Sequence, residues 1–299
     1  MTDIDTLLAD GLVIADAPLG PLTTYKAGGP ARFLATIDSL ADLERVIATG
    51  LAESMEVLVL GRGSNLVVAD SGFHGLVIRL GGEFLDIEVD GTLVTGGGAA
   101  PLPRLARAAV DHGVLGLEFF VGVPGSVGGA VRQNAGCFGV ETTDRLISAQ
   151  VIDIRTGDRR TTTPEDLELA YRHSNLKTTD LVLGATFQGE RGDSDQGRDL
   201  MREVTRWRRD HQPGGTLNAG SVFKNPSAMP AGRLIDDLGL KGTRIGGVSV
   251  STKHANFFVA GPDATSDDIR RLVEHIKDTV FERSGTMLEP EIQFVGFEE

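Results

Sequence analysis

The chain has 299 residues, of which 40% are hydrophobic and 24% are charged, as is typical of a soluble protein with two or three domains. The net charge of −13 argues against a nucleic-acid partner, because binding to a phosphate backbone requires a basic surface. The single cysteine, Cys137, excludes an intramolecular disulfide and a multi-cysteine metal site. We therefore expect neither DNA or RNA binding nor a resident metal ion.

The sequence also predicts a cytoplasmic protein. No segment approaches the ~20 consecutive apolar residues of a membrane-spanning helix. The acidic start, Met1-Thr2-Asp3-Ile4-Asp5, lacks the basic and apolar parts of a secretory leader. A lone cysteine is consistent with a reducing compartment.

From about residue 31 to residue 80, the sequence pattern predicts alternating strand, helix and strand. Asp38 or Ser39 can cap a helix whose apolar residues, beginning at Leu40, recur at helical spacing. Residues 57–60 are continuously apolar, which predicts a buried strand. Residues 77–80 predict a further strand.

Residues 82–190 predict a second α+β region. A helix with apolar residues from 102 to 110 should end at Gly113. Strands are predicted near residues 149–154 and 181–187. Between them Thr163 and Pro164, followed by two acidic residues, predict the start of a helix.

The polar, glycine-rich residues 189–197 mark the predicted boundary to a third region, residues 191–299. A basic helix around Arg206 and a short helix near residues 234–238 come first. The last helix has Thr265 as its cap, Asp268 at its third position and Gly285 at its end. A strand at residues 292–295 is predicted to end the fold.

Two glycine-rich loops could bind an anion through backbone N–H groups. The first, residues 61–66, follows a predicted strand, but Leu66 replaces the last glycine of the dinucleotide fingerprint. The second is residues 122–130. A ligand with two phosphates would suit the pair, although tight turns and close packing explain glycines equally well.

Ser221 lies in the sequence Asn-Ala-Gly-Ser-Val-Phe-Lys-Asn-Pro, residues 218–226. A hydroxyl, the cation of Lys224 and the amide of Asn225 can together hold an anion and donate a proton. The segment lacks the lysine of a phosphate-binding P-loop and the frame of a hydrolase nucleophile elbow. Taken alone, a Gly-Ser turn is more often structural.

Arg172 and the pair Glu289 and Glu291 are further polar candidates. The arginine offers a planar fork for a carboxylate or a phosphate, and Pro290 restricts the backbone between the glutamates. In isolation, a surface ion pair and a solvated acidic turn explain them as well. The six histidines show no metal-ligand spacing.

In this order, the segments resemble the UDP-N-acetylenolpyruvoylglucosamine reductase family. The matching residues are 25–31, 61–66, 122–130 with 134–136, 171–174, 219–226 and 288–291, which span nearly the whole chain. The resemblance implies an α+β fold with an FAD-binding unit of the vanillyl-alcohol-oxidase type. Two subdomains, residues 1–81 and 82–190, would form that unit, and an α/β substrate-binding domain, residues 191–299, would follow.

The resemblance also implies FAD as cofactor, with its pyrophosphate on the two glycine loops. The cofactor-binding residues that it implies are Gly61, Arg62, Gly63, Ser64, Asn65, Leu66, Gly122, Pro124, Gly125, Ser126, Val127, Gly128, Gly129, Asn134 and Arg208.

The implied reaction is the NADPH-dependent reduction of UDP-N-acetylglucosamine enolpyruvate to UDP-N-acetylmuramate, a step of peptidoglycan precursor synthesis. A hydride from flavin N5 reaches the enolpyruvyl double bond, and Ser221 donates the proton. Arg172 and Glu291 stabilise the enolate, with Glu291 chosen over Glu289 by the match alone. Tyr171, Lys224, Asn225 and His254 are implied to hold the sugar nucleotide.

The chain departs from part of the family pattern. Only Tyr25 and Tyr171 are tyrosines, which implies the compact subclass without a tyrosine-bearing loop over the substrate. Leu176 stands where the family often has phenylalanine. A monomer is expected. The alternatives are another FAD enzyme of the superfamily, such as a sugar or alcohol oxidase, and a non-enzymatic sugar-nucleotide-binding protein.

Overall fold

Strands and helices alternate through the computed structural model of the chain, which describes residues 4–298. Met1, Thr2 and Asp3 of the acidic start, and Glu299, lie outside the described residues. The α-helices of the described part are α1 (Ile4–Ala9), α2 (Leu40–Ile47), α3 (Leu51–Ser54), α4 (Leu102–Asp111), α5 (Val127–Gln133), α6 (Ser194–His211), α7 (Ala231–Asp237) and α8 (Ser266–Ser284).

The strands of the same residues are β1 (Val13–Pro18), β2 (Pro30–Ile37), β3 (Val57–Val59), β4 (Leu66–Val68), β5 (Phe73–Leu80), β6 (Ile87–Asp90), β7 (Leu93–Gly97), β8 (Val114–Leu115), β9 (Gly136–Cys137), β10 (Val140–Glu141), β11 (Leu146–Asp153), β12 (Arg159–Thr162), β13 (Asp180–Gln188), β14 (Glu190–Arg191), β15 (Arg244–Ile245), β16 (Val248–Val250), β17 (Phe258–Ala260) and β18 (Gln293–Val295).

The described residues divide into two compact units, each built from separate parts of the chain. The first unit contains the residues up to Asp16 together with Arg32–Gly61 and His74–Trp207. The second contains Ala17–Ala31, Arg62–Phe73 and the residues from Arg208 onward. The finer division at residues 81 and 190 stays a prediction.

Two sheets organise the first unit. One has the strand order β1-β2-β5-β3, and the other is antiparallel with the order β12-β11-β13-β7-β6. The unit has two hydrophobic cores, and the core that contains residues of the first sheet also includes Ile152 and Leu181 of the second. Helix α4 belongs to the second core, because its apolar residues, among them Leu102, Leu105 and Val110, are fully buried on one face.

The second unit has one core, which contains α7, α8 and a three-stranded antiparallel sheet of order β15-β16-β17. Strand β18 pairs in parallel with β4, so residues near the end of the chain lie beside residues 66–68. This pairing positions the segment that precedes β18, which carries Glu291.

The residues that cap α2 and α8 were predicted correctly. The Ser39 hydroxyl accepts a hydrogen bond from the Asp42 N–H at the start of α2. Thr265 and Asp268 form a reciprocal capping box at the start of α8, and Gly285 ends that helix in the left-handed conformation. These signals act within one turn, so tertiary packing has little influence on them.

The helix predicted to start at Thr163 is wrong. The Thr163 hydroxyl does accept a hydrogen bond from the Asp166 N–H, but the chain forms only a turn. Glu168 adopts a left-handed φ of 49°, and the Asn175 N–H donates to the Leu167 carbonyl. The left-handed Glu168 ends the turn, because a helix cannot continue through a left-handed residue.

One other prediction needs correction. Strand β3 was predicted to be buried, but it is half-buried, because it forms the edge of its sheet. The predicted boundary segment, residues 189–197, includes β14 and the first residues of α6. Among the described residues, no helix is long and apolar enough to cross a membrane.

Candidate functional site

The two glycine-rich loops meet at Gly61 and Ser126 in the first unit. A Cβ added to Gly61 would lie 3.0 Å from the Ser126 Oγ, so the two loops are in close approach at this point. Only glycine permits this approach without displacing the serine. The proximity that sequence reasoning expected of the two loops is therefore present at these two residues.

Helix α5 begins directly after Ser126, and its first N–H groups have partners inside the protein. The Val127 and Gly128 N–H groups donate to the carbonyls of Ala100 and Gly98. The Gly129 N–H donates to the Ser126 Oγ at 3.4 Å. An anion at this loop would therefore be bound by N–H groups that precede Val127.

The rest of the first loop, residues 62–66, belongs to the second unit. Gly63 has a φ of 61°, and a Cβ there would lie 2.3 Å from the Leu22 carbonyl oxygen. The Asn65 side chain donates to the Glu291 carbonyl at 3.0 Å, and the Gln293 N–H donates to the Asn65 carbonyl at 3.0 Å. The first loop thus supports the segment that carries Glu291.

Ser221 and Glu291 belong to adjacent segments of the second unit. The Glu291 N–H donates to the Val222 carbonyl at 2.7 Å, and the Lys224 N–H donates to the Glu289 carbonyl at 2.9 Å. Before the serine, Gly220 takes a φ of 76°, which favours glycine. Two residues about seventy positions apart in sequence are therefore brought together by backbone hydrogen bonds.

Asn256 holds the segment that follows Ser221, and sequence reasoning did not single it out. Its buried side-chain amide bonds to both backbone groups of Phe223, at 2.9 Å to the N–H and 2.8 Å to the carbonyl. Its own carbonyl accepts from the Val222 N–H at 2.8 Å. Its only sequence signal is its place in the polar cluster Lys253-His254-Ala255-Asn256.

The two glutamates flanking Pro290 have different environments. Glu289 is exposed, and its carboxylate pairs with the Lys224 ammonium at 2.6 Å. Glu291 is partly buried and lies beside Val222 through its backbone. The Glu289 carboxylate thus pairs with Lys224. The Glu291 backbone is hydrogen-bonded to Val222, the residue after Ser221.

His254 and Asn225 lie near this segment. Burial, together with the positive charge of Lys241, lowers the pKa of His254, so the imidazole is neutral at pH 7. Its Nδ1 accepts a hydrogen bond from the Asn256 N–H, and the side-chain Oδ1 of Asn225 accepts from the Ala231 N–H at the start of α7. In the last turn of α6, the Arg208 Nε donates to Gln212.

Arg172 occupies a strained turn in the first unit. Its φ is 55°, and reciprocal hydrogen bonds between Ala170 and His173 close the turn around it. The guanidinium lies over the Tyr171 ring at 4.8 Å from the centroid. The arginine side chain is 18% exposed, so most of its surface is covered by its surroundings.

Glu141 is a second residue that sequence reasoning missed. Its Oε1 lies 3.4 Å from the Arg172 Nη1, and its Oε2 accepts from the Asn134 Nδ2 at 2.9 Å. Asn134 is completely buried and also bonds to Ala170 and Thr143. Its amide is therefore used inside the protein, and a contact of Asn134 with the cofactor stays a prediction.

The structure offers no metal centre within the described residues, since no group of three or more His, Cys, Asp or Glu side chains there could hold an ion. The candidate polar residues form two sets, one in each compact unit. Ser221, Glu291, Lys224, Asn225 and His254 belong to the second unit, and Arg172, Tyr171 and Asn134 belong to the first.

Two family models match the chain. An FAD binding domain model matches residues 31–163, and the model of the UDP-N-acetylenolpyruvoylglucosamine reductase C-terminal domain matches residues 212–295. These matches and the mixed sheets and helices confirm the predicted α+β fold, with an FAD-binding domain followed by the C-terminal domain of this reductase family.

Curated relatives cover nearly the whole chain. The chain is 43% identical over 286 residues to a UDP-N-acetylenolpyruvoylglucosamine reductase from Parvibaculum lavamentivorans, covering 96% of the chain and 92% of the relative. It is 41% identical to the enzyme of that name from a Synechococcus species, covering 99% and 97%.

A solved structure agrees with these relatives. The crystal structure of the UDP-N-acetylenolpyruvylglucosamine reductase from Thermus caldophilus matches with a TM-score of 0.82 and 35% identity, covering 95% of this chain and 98% of that one. The chain therefore belongs to the UDP-N-acetylenolpyruvoylglucosamine reductase family of FAD-dependent oxidoreductases.

Proposed function

We propose that this protein reduces UDP-N-acetylglucosamine enolpyruvate to UDP-N-acetylmuramate, with NADPH as the reductant, in the cytoplasmic synthesis of peptidoglycan precursors. The names of its relatives support the substrate class. The observation that carries the proposal is the backbone hydrogen bond from Glu291 to Val222, which brings the carboxyl and the Ser221 hydroxyl into neighbouring segments. A proton donor and a carboxyl in this arrangement suit the reduction of a double bond conjugated to a carboxylate.

The residues of the glycine loops fit the proposed cofactor. The absence of a side chain at Gly61, beside the Ser126 Oγ, keeps the backbone of both loops accessible to a pyrophosphate. We propose that the N–H groups of residues 61–65 and of Gly125 and Ser126 hold it, and that Arg208 is a further cofactor-binding residue. When bound and reduced, FAD supplies the hydride for the reaction.

Ser221 is proposed to donate the proton. After hydride addition to the terminal carbon of the enolpyruvyl group, the neighbouring carbon carries negative charge and takes the proton from the hydroxyl. A serine hydroxyl is a weak acid, which suits a strongly basic carbanion. The hydrogen bonds that Asn256 makes on Val222 and Phe223 would keep the hydroxyl in place.

Arg172 and Glu291 are proposed to stabilise the charge on the substrate carboxylate. The arginine provides the opposite charge, and a protonated Glu291 provides a hydrogen-bond donor. A preorganised donor of this kind typically contributes about 3–4 kcal/mol to the barrier reduction. Tyr171, Lys224, Asn225 and His254 are proposed to bind the sugar nucleotide, with Lys224 exchanging Glu289 for a phosphate.

We further propose that the chain is a monomer of the compact subclass, with subdomain boundaries near residues 81 and 190. The proposed second boundary falls in the gap between the two family models, residues 164–211, which supports this division.

The test separates the two half-reactions. The purified protein should be yellow, and NADPH should bleach the flavin absorbance under anaerobic conditions. UDP-N-acetylglucosamine enolpyruvate should then restore the absorbance in a stopped-flow experiment, with UDP-N-acetylmuramate as the product. Rapid reoxidation by oxygen but not by this substrate would favour an oxidase, and a colourless protein that binds the sugar nucleotide would favour a non-enzymatic role.

The Ser221→Ala variant tests the proton donor. Bleaching by NADPH should stay within about twofold of the unaltered rate, while reoxidation by the substrate should slow by about 10²–10⁴-fold, because general acid catalysis is lost. Ser227→Ala, at an exposed serine nearby, is the control and should change neither rate. Equal losses in both half-reactions of Ser221→Ala would show that the serine is needed for folding.

A further inference from the structure

We propose that Glu141 is a positioning residue, which holds the guanidinium of Arg172 in its productive orientation. The inference rests on the role proposed for Arg172, and it concerns a residue that no motif identified. Glu141 ends strand β10, the second strand of the hairpin that β9 begins. Glu141 and Arg172 both belong to the first unit.

Two contacts of the arginine involve one nitrogen of its guanidinium. The Arg172 Nη1 donates to the Glu141 Oε1 at 3.4 Å and to the Asn134 carbonyl at 3.5 Å. Because both contacts involve the same nitrogen, they act on one end of the planar group. Together with the Tyr171 ring under the guanidinium, they restrict its rotation.

The Glu141 carboxylate is itself held by other groups. Its Oε2 accepts from the Asn134 Nδ2 at 2.9 Å, and the side chain also accepts from the Asp144 N–H in a reciprocal capping box. A carboxylate with several fixed donors has little freedom to follow the arginine. The glutamate therefore offers the arginine an acceptor that other groups hold in place.

Asn134 links this support to the backbone of the arginine turn. It ends helix α5 in a left-handed conformation, and its Nδ2 donates to the Ala170 carbonyl at 3.1 Å. The Thr143 N–H donates to its Oδ1 at 2.9 Å. One buried amide thus ties the turn that carries Arg172 to the hairpin that carries Glu141.

The strained backbone of Arg172 indicates that surrounding contacts hold this residue in place. A left-handed arginine is unfavourable by itself and persists only where surrounding contacts impose it. The side chain leaves this turn in a direction that an ordinary turn would not give it. A carboxylate at the side of the guanidinium then selects one orientation of the fork, as recognition of a second carboxylate requires.

The first experiment compares variants of Glu141. Glu141→Gln keeps the size and the hydrogen-bonding capacity but removes the charge, and it should slow reoxidation by the enolpyruvyl substrate by roughly 10- to 100-fold, as small displacements of a positioning group do. Bleaching by NADPH and the unfolding temperature should change little. Glu190→Gln, which removes the exposed partner of Arg145, is the matched control and should leave both half-reactions unchanged.

A chemical-rescue experiment separates positioning from a merely structural role. Added guanidinium ion should restore part of the substrate half-reaction in Arg172→Ala, because the ion can occupy the place of the missing side chain. In the double variant Arg172→Ala, Glu141→Gln the guanidinium concentration for half-maximal rescue should rise at least about tenfold, because the anchoring carboxylate is gone. Equal rescue of both variants would overturn the inference.

The outcomes distinguish this inference from the proposed function. If Arg172→Ala leaves reoxidation unchanged, the proposed role of Arg172 fails. If Arg172→Ala slows reoxidation but Glu141→Gln does not, the proposed function stands and the positioning role fails. If Glu141→Gln lowers the unfolding temperature and slows both half-reactions equally, Glu141 is structural and the inference also fails.

Discussion

Individual hydrogen bonds place Ser221 and Glu291 in neighbouring segments. The Glu291 N–H reaches the Val222 carbonyl, and the Asn65 amide reaches the Glu291 carbonyl. Glu289, two residues earlier, pairs with Lys224 instead. Sequence reasoning preferred Glu291 only from a family match, whereas the structure gives the two glutamates different partners.

His254 makes stability depend on pH in a defined direction. Burial lowers its pKa in the folded protein, so between that value and the ordinary pKa near 6.5 the unfolded chain binds the proton more readily. The stabilising contribution is present above the unfolded pKa and is lost as the pH falls. We expect the unfolding temperature to fall from pH 7 to pH 5.5, and to fall less in His254→Gln.

The neighbours of His254 define the control for this prediction. The positive charge of Lys241, and to a smaller extent that of His211, also lowers its pKa. His74→Gln, at an exposed histidine, should keep the pH dependence of the unaltered protein. Parallel pH profiles for His254→Gln and the unaltered protein would contradict the prediction.

At the scale of elements, the segment from Ala219 to Lys224 is stabilised by groups from distant parts of the chain. Asn256 bonds to both backbone groups of Phe223, and the residues near Glu291 bond to its neighbours. This segment is not part of a long strand or helix. Its conformation therefore depends on side chains that local sequence patterns do not reveal.

Removing the Asn256 amide should destabilise this segment and impair the reaction. Asn256→Ala would leave the N–H and the carbonyl of the fully buried Phe223 without partners, at a cost of roughly 2–4 kcal/mol in the free energy of unfolding. Urea denaturation measures the stability, and stopped-flow reoxidation should be slowed as well. Thr265→Ala, which removes the α8 cap for about 1 kcal/mol, should leave reoxidation unchanged and so serves as the control.

Helix caps and turns show where sequence reasoning succeeds and where it fails at this scale. The caps of α2 and α8 were predicted because a hydroxyl and an N–H three residues later satisfy each other locally. The same signal at Thr163 produced only a turn, because the backbone of Glu168 and the bond from Asn175 to Leu167 end it. A cap permits a helix but does not supply the packing that extends one.

For the whole molecule, cofactor binding should couple to stability. A ligand that binds only the folded state stabilises it by about 2.7 kcal/mol when its free concentration is 100 times the dissociation constant. We expect the unfolding temperature of the FAD-depleted protein to rise by several degrees as FAD is added, and to level off only slowly at high concentration. Differential scanning fluorimetry measures this shift.

A variant at the meeting point of the loops makes the test specific. Gly61→Val would place a side chain against the Ser126 Oγ and should abolish most of the FAD-dependent shift. Gly214→Ala, at a glycine with nothing within 4 Å of an added Cβ, should keep the full shift. A Gly61→Val protein with an unchanged shift would show that these loops do not bind the cofactor.

The sequence could not predict which parts of the chain form each of the two compact units. Residues 17–31 and 62–73 belong to the same unit as the chain from Arg208 onward, although long stretches of the first unit separate them in sequence. The pairing of β18 with β4 is one reason, because parallel strands require no sequence proximity. Local periodicity indicates which residues form a strand, but not which strand is its neighbour.

The sequence by itself determined the fold class, the caps of α2 and α8, the family and the identity of the glycine loops and the serine segment, because these depend on residue types at short spacing. The tertiary structure alone decided which polar groups support one another. Glu141 and Asn256 carry no motif, yet one contacts Arg172 and the other holds the segment after Ser221. The physical reason is that hydrogen bonds act over about 3 Å in space, whereas sequence patterns report on neighbours along the chain.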